Sequence, residues 1–199
     1  LKIIVIILFI NCNIGIGQLR VSINDLLYSN NIVTYDDKPF NGIAYDLSST
    51  GNWIWYEANY KNGELNGIES IWYNPNQIMR ETNYKSNKKN GIAKTWYPNG
   101  KIMNEREFTN GDPDGLLNAW YSNGQERYKG MYLSHYKGGQ LTEFYKSGEI
   151  KGKGNFRIKE VKDKILVPST EFSEAHYLWL DNFNIDWHNN FSTYHKNGK

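Results

Sequence analysis

The residues of this sequence that could bind a metal ion are not spaced as metal ligands usually are. The histidines at 135, 176, 188 and 195 lie 41, 12 and 7 positions apart, whereas two histidines of a zinc motif lie about four to six positions apart. The run from Asp112 to Gly115 begins like a calcium loop, but the later oxygen ligands and the distal glutamate of an EF-hand are missing. We therefore expect no metal site and no cofactor.

Acidic residues recur in the sequence without forming an acid–base pair. Glu81 and Glu105 lie 24 residues apart, and Lys129 follows at the same interval. A position that holds a carboxylate in some copies and an ammonium in another is typical of a solvated row of charges. The sequence also lacks the Gly-x-Ser-x-Gly of hydrolases and a glycine-rich phosphate loop. We predict that the chain is not an enzyme.

The composition excludes several broad classes of protein. The 199 residues are 39% hydrophobic and 22% charged, which fits one folded domain rather than a disordered chain, a collagen-like fibre or a polytopic membrane protein. Lysines at 85, 88, 89 and 94 are interleaved with aromatic residues, as in single-strand binders, but nearby glutamates offset their charge. Because the formal net charge is only +2, we expect no nucleic-acid partner.

Residues 1–17 have the layout of a secretory signal peptide. Lys2 precedes an apolar run at 3–10, and glycines stand at positions −3 and −1 from Gln18. This run is too short for the roughly 20 residues that span a bilayer. We expect cleavage after Gly17 and a mature chain that is secreted, periplasmic or held at the cell envelope, with no membrane-spanning segment.

Cys12, the only cysteine, supports an alternative interpretation of this segment. A lipid attached to Cys12 would make the protein a lipoprotein, although Asn11 stands where a lipoprotein signal usually has a small residue. A buried β-strand is a third interpretation. Cleavage after Gly17 would leave a mature chain without a thiol or a disulfide.

A period of 24 residues organises the middle of the chain. Single aromatic residues recur at Tyr60, Tyr84, Phe108, Tyr132 and Phe156, and glycines recur at Gly67, Gly91, Gly115 and Gly139. Aromatic pairs recur at Trp72-Tyr73, Trp96-Tyr97, Trp120-Tyr121 and Phe144-Tyr145, and a second set of glycines follows at Gly100, Gly124 and Gly148. An earlier copy with one extra residue begins at Phe40. We therefore divide the chain into an N-terminal cap at 18–39, about five repeats at 40–156, and a degenerate repeat or C-terminal cap at 157–199.

Each repeat predicts a β-hairpin. Of the 18 glycines, 8 directly follow asparagine, and Asn-Gly is the strongest short-range signal for a hairpin turn. We interpret both sets of repeated glycines as turn residues, and we expect a connector at 110–114 between the third and fourth hairpins. The predicted fold class is all-β: an elongated, single-layer antiparallel sheet of successive hairpins, with short capping helices at 21–27 and 168–180.

Two ladders of aromatic side chains follow from this register. Strand alternation places the first members of the aromatic pairs on one face of the sheet and the tyrosines on the other. Aromatic side chains of this kind dominate protein-binding hot spots. The candidate binding residues are therefore Trp72, Trp96, Trp120 and Phe144 on one face, and Tyr73, Tyr97, Tyr121 and Tyr145 on the other. The ladders could also serve only to hold the hairpins together.

The repeated glycines, the Trp-Tyr pairs and the turn positions resemble, in register, the bacterial variant of the MORN (membrane occupation and recognition nexus) repeat. The resemblance covers residues 40–156. It implies a single-layered sheet of hairpins, a non-catalytic binding role and, for many bacterial members, an antitoxin label, which export would contradict.

Three functions remain open at this point. The first is an exported scaffold that binds another protein through one aromatic face. The second is a module that binds glycan or cell wall, because aromatic rings stack on sugars. The third is an antitoxin-like partner of a toxin.

Overall fold

The computed structural model describes residues 18–134, 138–158, 185–187 and 192–193. The predicted signal peptide, including Cys12, and the predicted helix at 168–180 lie outside these residues. The strands are β1 (Arg20–Ser22), β2 (Leu27–Ser29), β3 (Ile32–Tyr35), β4 (Lys38–Pro39), β5 (Gly42–Leu47), β6 (Ile54–Lys61), β7 (Glu64–Asn74), β8 (Gln77–Lys85), β9 (Lys88–Trp96), β10 (Ile102–Thr109), β11 (Asp112–Trp120), β12 (Glu126–Leu133), β13 (Gly138–Phe144), β14 (Ile150–Ile158), β15 (Ile185–Trp187) and β16 (Ser192–Thr193).

The described strands form one long sheet and one small one. The long sheet runs from β5 to β15 in chain order, with β1 beside β5 and β16 also paired with β14. β1 pairs with β5 in parallel, and the other pairs of this sheet are antiparallel. β2, β3 and β4 form the small sheet. The predicted all-β fold of successive antiparallel hairpins is confirmed.

The helix predicted near 21–27 is wrong. Residues Ile23–Asp25 form a single 3-10 turn, in which the Leu26 N–H donates to the Ile23 carbonyl over 3.3 Å. The flanking residues on both sides are extended, because β1 joins the long sheet and β2 joins the small one. Pairing with two sheets therefore leaves too few residues between them for a helix.

Three connections between hairpins, at residues 62–63, 86–87 and 110–111, are two-residue turns in which both residues have positive φ. Examples are Asn62-Gly63, with φ of 53° and 77°, and Asn110-Gly111, with φ of 54° and 100°. Positive φ at both central residues defines the type I′ turn, whose twist matches that of the flanking strands. The connector predicted at 110–114 is therefore shorter than expected, because β11 already begins at Asp112.

The turns at the other end of the hairpins contain the second set of repeated glycines. The Gly100 N–H donates to the Tyr97 carbonyl over 2.9 Å, and the Tyr97 N–H donates to the Lys101 carbonyl over 2.8 Å. The same pair of bonds recurs at residues 121–125 and 145–149. This is the three-residue hairpin loop that ends in a glycine with positive φ. In the first hairpin the Ser48 N–H bonds the Trp53 carbonyl instead, so the extra residue of that copy lies in its loop.

The first set of repeated glycines does not lie in turns. Gly67, Gly91, Gly115 and Gly139 are inside β7, β9, β11 and β13. The first three have φ of 119°, 96° and 112°, and the register with the preceding strand shifts beside each of them. At each of them the strand with the glycine gains two residues over its partner, an enlarged β-bulge in which glycine supplies the positive φ. Asn-Gly in these repeats therefore marks a bulge as well as a turn.

The small sheet packs against the first hairpin of the long sheet. The Val33 N–H donates to the Gly63 carbonyl over 2.8 Å, and the Gly63 N–H donates to the Phe40 carbonyl over 2.8 Å. Phe40, which is 1% exposed, belongs to a core cluster that also includes Ala44 and Ala58. Residues 27–39 thus cover the first repeat, at the place where the sequence predicts a cap.

A second core cluster lies near the other end of the sheet. Leu117, Ala119, Tyr128 and Leu141 are buried there, and Tyr132 packs beside them. Alternation and register place these side chains on the same face as Ala58 of the first cluster.

Candidate functional site

The long sheet has two faces that differ in chemistry. One carries Tyr73, Tyr97, Tyr121 and Tyr145, together with the buried residues of both core clusters in the long sheet, and we call it the tyrosine face. The other carries Trp72, Trp96, Trp120 and Phe144, and we call it the tryptophan face. In the register, Lys94 of the tryptophan face pairs with Glu81 and Glu105, whereas Ala93 of the tyrosine face pairs with Thr82 and Arg106.

The tyrosine ladder bridges neighbouring repeats through its hydroxyl groups. The Tyr73 Oη donates to the Trp96 carbonyl over 3.1 Å, and the Tyr97 Oη donates to the Trp120 carbonyl over 2.8 Å. In the same way, the Tyr121 Oη donates to the Phe144 carbonyl over 3.0 Å. Each of these phenols thus satisfies a backbone acceptor 23 residues along the chain. Tyr73, Tyr97 and Tyr121 therefore help to hold neighbouring repeats together, which is the alternative that the sequence left open for the ladders.

The tryptophan ladder is not continuous from ring to ring. Trp72 lies opposite Ile78, and Trp96 lies opposite Ile102. Trp120 and Phe144 lie opposite Glu126 and Ile150 in the same way. Successive rungs are therefore two strands apart, about 10 Å at the usual strand spacing. All four rings are half-buried, so each retains surface that a partner could cover.

Charged residues form the centre of the tryptophan face. The Lys94 Nζ lies 2.9 Å from the Glu105 Oε1, and Glu81 occupies the other side of Lys94 in the register. Lys129 follows in the position of the glutamates and binds Glu126 at 3.1 Å. These contacts are partly exposed ion pairs, which contribute little stability individually.

Part of the tyrosine face is polar where the other repeats are apolar. The Arg80 Nη2 lies 3.0 Å from the Glu69 Oε2, and Glu69 is 8% exposed. The Lys89 Nζ lies 5.0 Å from the centre of the Phe108 ring, a cation–π distance. Burial lowers the pKa of the Arg106 guanidinium to about 10. This group of residues was not predicted from the sequence.

Slot-by-slot comparison of the repeats would have revealed this polar group. The slot of Arg106 holds Ala58, Thr82 and Gly130 in other units, and the slot of Lys89 holds Leu65 in the first. At the slot of Arg106, a charged residue where the other units carry a small one is the signal, whereas the slot of Lys89 holds a lysine again at position 137. The signal lies in a residue that departs from the repeat, whereas the predicted site residues are ones that recur.

Tyr84, which pairs with Lys89 in the register, makes the stability of the protein sensitive to alkaline pH. Burial, aided by the nearby Glu69 charge, raises its pKa to about 12, whereas a phenol in an unfolded chain ionises near pH 10. The stabilisation is therefore complete below pH 10 and is lost as the pH rises to 12, because the unfolded chain releases its proton first. We expect the loss attributable to Tyr84 to reach about 2 kcal/mol.

Urea denaturation at pH 9 and pH 11.5 measures this effect against a Tyr84→Phe variant. Phe108 occupies the same slot one repeat later, so phenylalanine fits the position. The variant should lose less stability between the two pH values than the unmodified chain does. Equal losses in both proteins would contradict the assignment.

Two further features of the described residues concern membrane spanning and metal binding. Among the described residues, no helix is both long and apolar enough to cross a membrane. Within the same ranges, histidine, cysteine and carboxylate side chains do not gather in groups of three that could hold a metal ion.

Comparison with known proteins agrees with the repeat architecture. The family described as MORN repeat variant matches residues 89–110 and 137–157. These stretches cover the β9–β10 and β13–β14 hairpins, and they start 48 residues apart, which is two periods. No match was found among curated proteins. The chain therefore carries repeats of the MORN variant type, as the spacing of its glycines and Trp-Tyr pairs predicted.

Proposed function

We propose that the protein is an exported, non-catalytic repeat scaffold that binds another protein at the cell envelope or outside the cell. Repeats of this type commonly mediate protein or membrane interactions. The export part of the proposal is supported by the basic residue, apolar run and small residues within 1–17. The absence of a recognisable catalytic motif in the sequence supports a binding role.

The half-buried tryptophan ladder is the observation that supports this proposal best. Tyrosines of the opposite ladder donate their hydroxyls to neighbouring repeats, whereas each ring of the tryptophan ladder is half-buried and keeps part of its surface exposed. Ile68 and Met131 flank the ladder on the same face and are 44% and 52% exposed. A row of aromatic rings beside exposed aliphatic side chains has the composition of a protein-binding hot spot. The tryptophan face is therefore the face we assign to the partner.

Replacing Trp96 and Trp120 together with alanine is expected to weaken partner binding by at least about thirtyfold, because hot-spot side chains contribute about 2 kcal/mol or more. The measurement is affinity capture by the tagged mature chain from the envelope fraction, followed by cross-linking and titration of the identified partner. Met131→Glu, at an exposed position of the same face, should also weaken binding and leaves the ladder intact.

The matched control is Tyr97→Phe, which keeps the ring on the opposite face and removes its hydroxyl. This variant should bind the partner as the unmodified chain does. Retained binding by both tryptophan-face variants would reject the proposed face. Cosedimentation with purified peptidoglycan instead of a protein would favour the glycan function. Mass spectrometry should find Gln18 at the mature N-terminus, whereas a lipid on Cys12 would make the protein a lipoprotein.

A further inference from the structure

Asparagines that precede glycine are prone to spontaneous deamidation, because glycine has no side chain to shield its backbone nitrogen. That nitrogen attacks the side-chain carbonyl carbon of the asparagine, ammonia leaves, and a succinimide ring forms. Water then opens the ring to aspartate or isoaspartate. Seven such pairs lie within the described residues, and the fold holds them in different ways. The pairs begin at Asn41, Asn62, Asn66, Asn90, Asn99, Asn110 and Asn123.

Four of these pairs lie in turns between strands, whereas the other three precede glycines inside β5, β7 and β9. The four are Asn62-Gly63, Asn99-Gly100, Asn110-Gly111 and Asn123-Gly124. In each of them the glycine N–H donates to a backbone carbonyl over 2.8 or 2.9 Å. The glycine nitrogen must leave this bond before it can attack. Because the bond is alike in all four pairs, it does not distinguish one pair from another.

The side-chain amides of Asn99 and Asn123 are held by two hydrogen bonds each. The Asn99 Nδ2 donates to the Ser122 carbonyl over 2.8 Å, and the Asn99 Oδ1 accepts from the Lys101 N–H over 3.1 Å. Asn123 makes the same two bonds, to the carbonyl of residue 146 over 3.2 Å and from the N–H of residue 125 over 3.1 Å. Rotation of either amide toward the glycine nitrogen would break both of its bonds. These two pairs are therefore protected from deamidation.

The side-chain amides of Asn62 and Asn110 are not held in this way. Both residues donate their backbone N–H to an asparagine Oδ1 of the preceding unit, over 2.9 Å at Asn62 and 3.3 Å at Asn110. Among the described residues, however, neither side-chain amide makes a hydrogen bond. Both asparagines are exposed. Rotation of the amide therefore breaks no bond within the described part of the chain.

The two glycines that follow these asparagines differ in their surroundings. Gly63 is buried under the small sheet, where a Cβ would lie 2.7 Å from the Val33 carbonyl oxygen. Gly111 is exposed, and the nearest atom to a Cβ there would be the Lys88 Cβ at 3.9 Å. A succinimide needs room around the glycine nitrogen, and its hydrolysis needs water. Asn110-Gly111 thus combines a side-chain amide that can turn with a glycine that water can reach.

We propose that Asn110 is a deamidation site selected by the fold. The Gly111 nitrogen bonds to the Asn110 Cγ and loses its proton, and the Cγ–Nδ2 bond breaks to release ammonia. Water then cleaves the ring at one of its two carbonyl carbons. Cleavage at Cγ gives aspartate, whereas cleavage at the main-chain carbonyl carbon gives isoaspartate. The proposal goes beyond the proposed function, because it concerns a change in the ageing chain and not the bound partner.

Isoaspartate at position 110 would alter how this turn rests on β9. The main chain would then run through the former side chain and would be one methylene longer. The unmodified turn donates from the Gly111 N–H to the Lys89 carbonyl over 2.8 Å and from the Asn110 N–H to the Asn90 Oδ1 over 3.3 Å. A longer backbone cannot keep both bonds in this geometry. We therefore expect the modified chain to be less stable than the unmodified one.

Peptide mass spectrometry of the full chain, aged in mildly alkaline buffer, tests the site. Trypsin cleaves after Arg106 and Arg127, so one peptide of residues 107–127 contains both Asn110 and Asn123, and fragmentation compares them directly. In the folded chain we expect Asn110 to deamidate at least tenfold faster than Asn123. In concentrated urea the two rates should agree within twofold, because both asparagines precede glycine.

The matched control is Asn110→Gly, since glycine tolerates the positive φ that this turn requires. The variant should give no product at position 110 and should leave the rate at Asn123 unchanged. After equal ageing, the unmodified chain should unfold at a lower urea concentration than the variant.

Two results would overturn the proposal. Deamidation of Asn62 or Asn123 as fast as that of Asn110 in the folded chain would mean that the fold does not select the site. A ratio between Asn110 and Asn123 that is the same in folded and unfolded chains would assign any preference to the sequence alone. None of these measurements involves the partner, so this proposal and the Trp96 and Trp120 test fail separately.

Discussion

Replacing Phe40 with alanine is expected to lower the free energy of unfolding by about 3 to 5 kcal/mol, the usual range for losing a fully buried phenylalanine. Phe40 is 1% exposed, and its ring lies 5.8 Å from the Tyr60 ring and 6.3 Å from the Tyr35 ring. The cavity would form between the small sheet and the first hairpin. Urea denaturation followed by tryptophan fluorescence measures the change.

The control for this variant is Leu27→Ala in the same small sheet. Leu27 is 64% exposed, so its truncation should change the free energy of unfolding by less than about 0.5 kcal/mol. A loss below about 1 kcal/mol in the Phe40 variant would contradict the packing of the small sheet on the first repeat. Both variants leave the backbone bonds of Phe40 with Val33 and Gly63 in place.

The large effect expected at Phe40 follows from the one-dimensional character of the fold. Each hairpin of the long sheet contacts mainly the hairpins on either side of it, so stability is the sum of local and neighbour contributions. The first hairpin has the three-residue strand β1 beside β5 instead of a full repeat, and the small sheet adds contacts through Phe40 and Gly63. Loss of that contact should therefore expose one side of the first hairpin.

The repeating part of the fold was predictable from sequence because identical positions impose identical geometry. The 24-residue spacing of Trp96 and Trp120 fixes which side chains share a face, and β3 (Ile32–Tyr35) consists of β-branched and aromatic residues, which favour strands. The tight turn at 98–100 follows from its Pro-Asn-Gly composition. These features depend on local backbone chemistry, and every copy of the repeat has the residues that determine it.

Features that depend on contacts between distant residues were not predictable in this way. The hydroxyl bond from Tyr97 to Trp120 joins residues of neighbouring repeats, and residue types alone cannot distinguish it from an exposed tyrosine. The parallel pairing of Val21 with Ala44 likewise depends on how the chain crosses the first hairpin. Arg106 was not predicted as a site residue because it is an exception to the repeat, whose other copies carry Ala58, Thr82 and Gly130 in that slot.

The bulge glycines explain why glycine recurs at a position that is not a turn. At Gly67, Gly91 and Gly115 the aromatic residue of the next strand lies directly opposite, as Tyr84 does opposite Gly67 and Phe108 opposite Gly91. Because glycine has no side chain, the backbone around it is exposed, and a large aromatic ring on the paired strand can cover that backbone. The pairing of glycine and aromatic residues every 24 residues is thus one structural device rather than two.

Alanine at three glycines is expected to destabilise the protein in the order Gly67, Gly91, Gly51. At Gly67, φ is 119° and a Cβ would lie 2.9 Å from the Asn59 Cβ, so backbone strain and overlap together should cost about 3 kcal/mol. At Gly91, φ is 96° but the nearest Asn83 Cβ would be 3.6 Å away, so strain alone should cost about 2 kcal/mol. At Gly51, φ is 72° and a Cβ would have no atom within 4 Å, so Gly51→Ala should lower the free energy of unfolding by about 1 kcal/mol.

Urea denaturation of the three variants separates the two contributions. Gly51 serves as the control because it has the positive φ of a loop without the strand neighbour. The Asn59 amide bonds the Ile68 carbonyl over 2.8 Å, so a shift of Asn59 away from a new Cβ would also weaken that bond. If Gly67→Ala lost no more stability than Gly51→Ala, Asn59 could move away from the new Cβ without a measurable cost. Glycine would then be needed in β7 only for its positive φ.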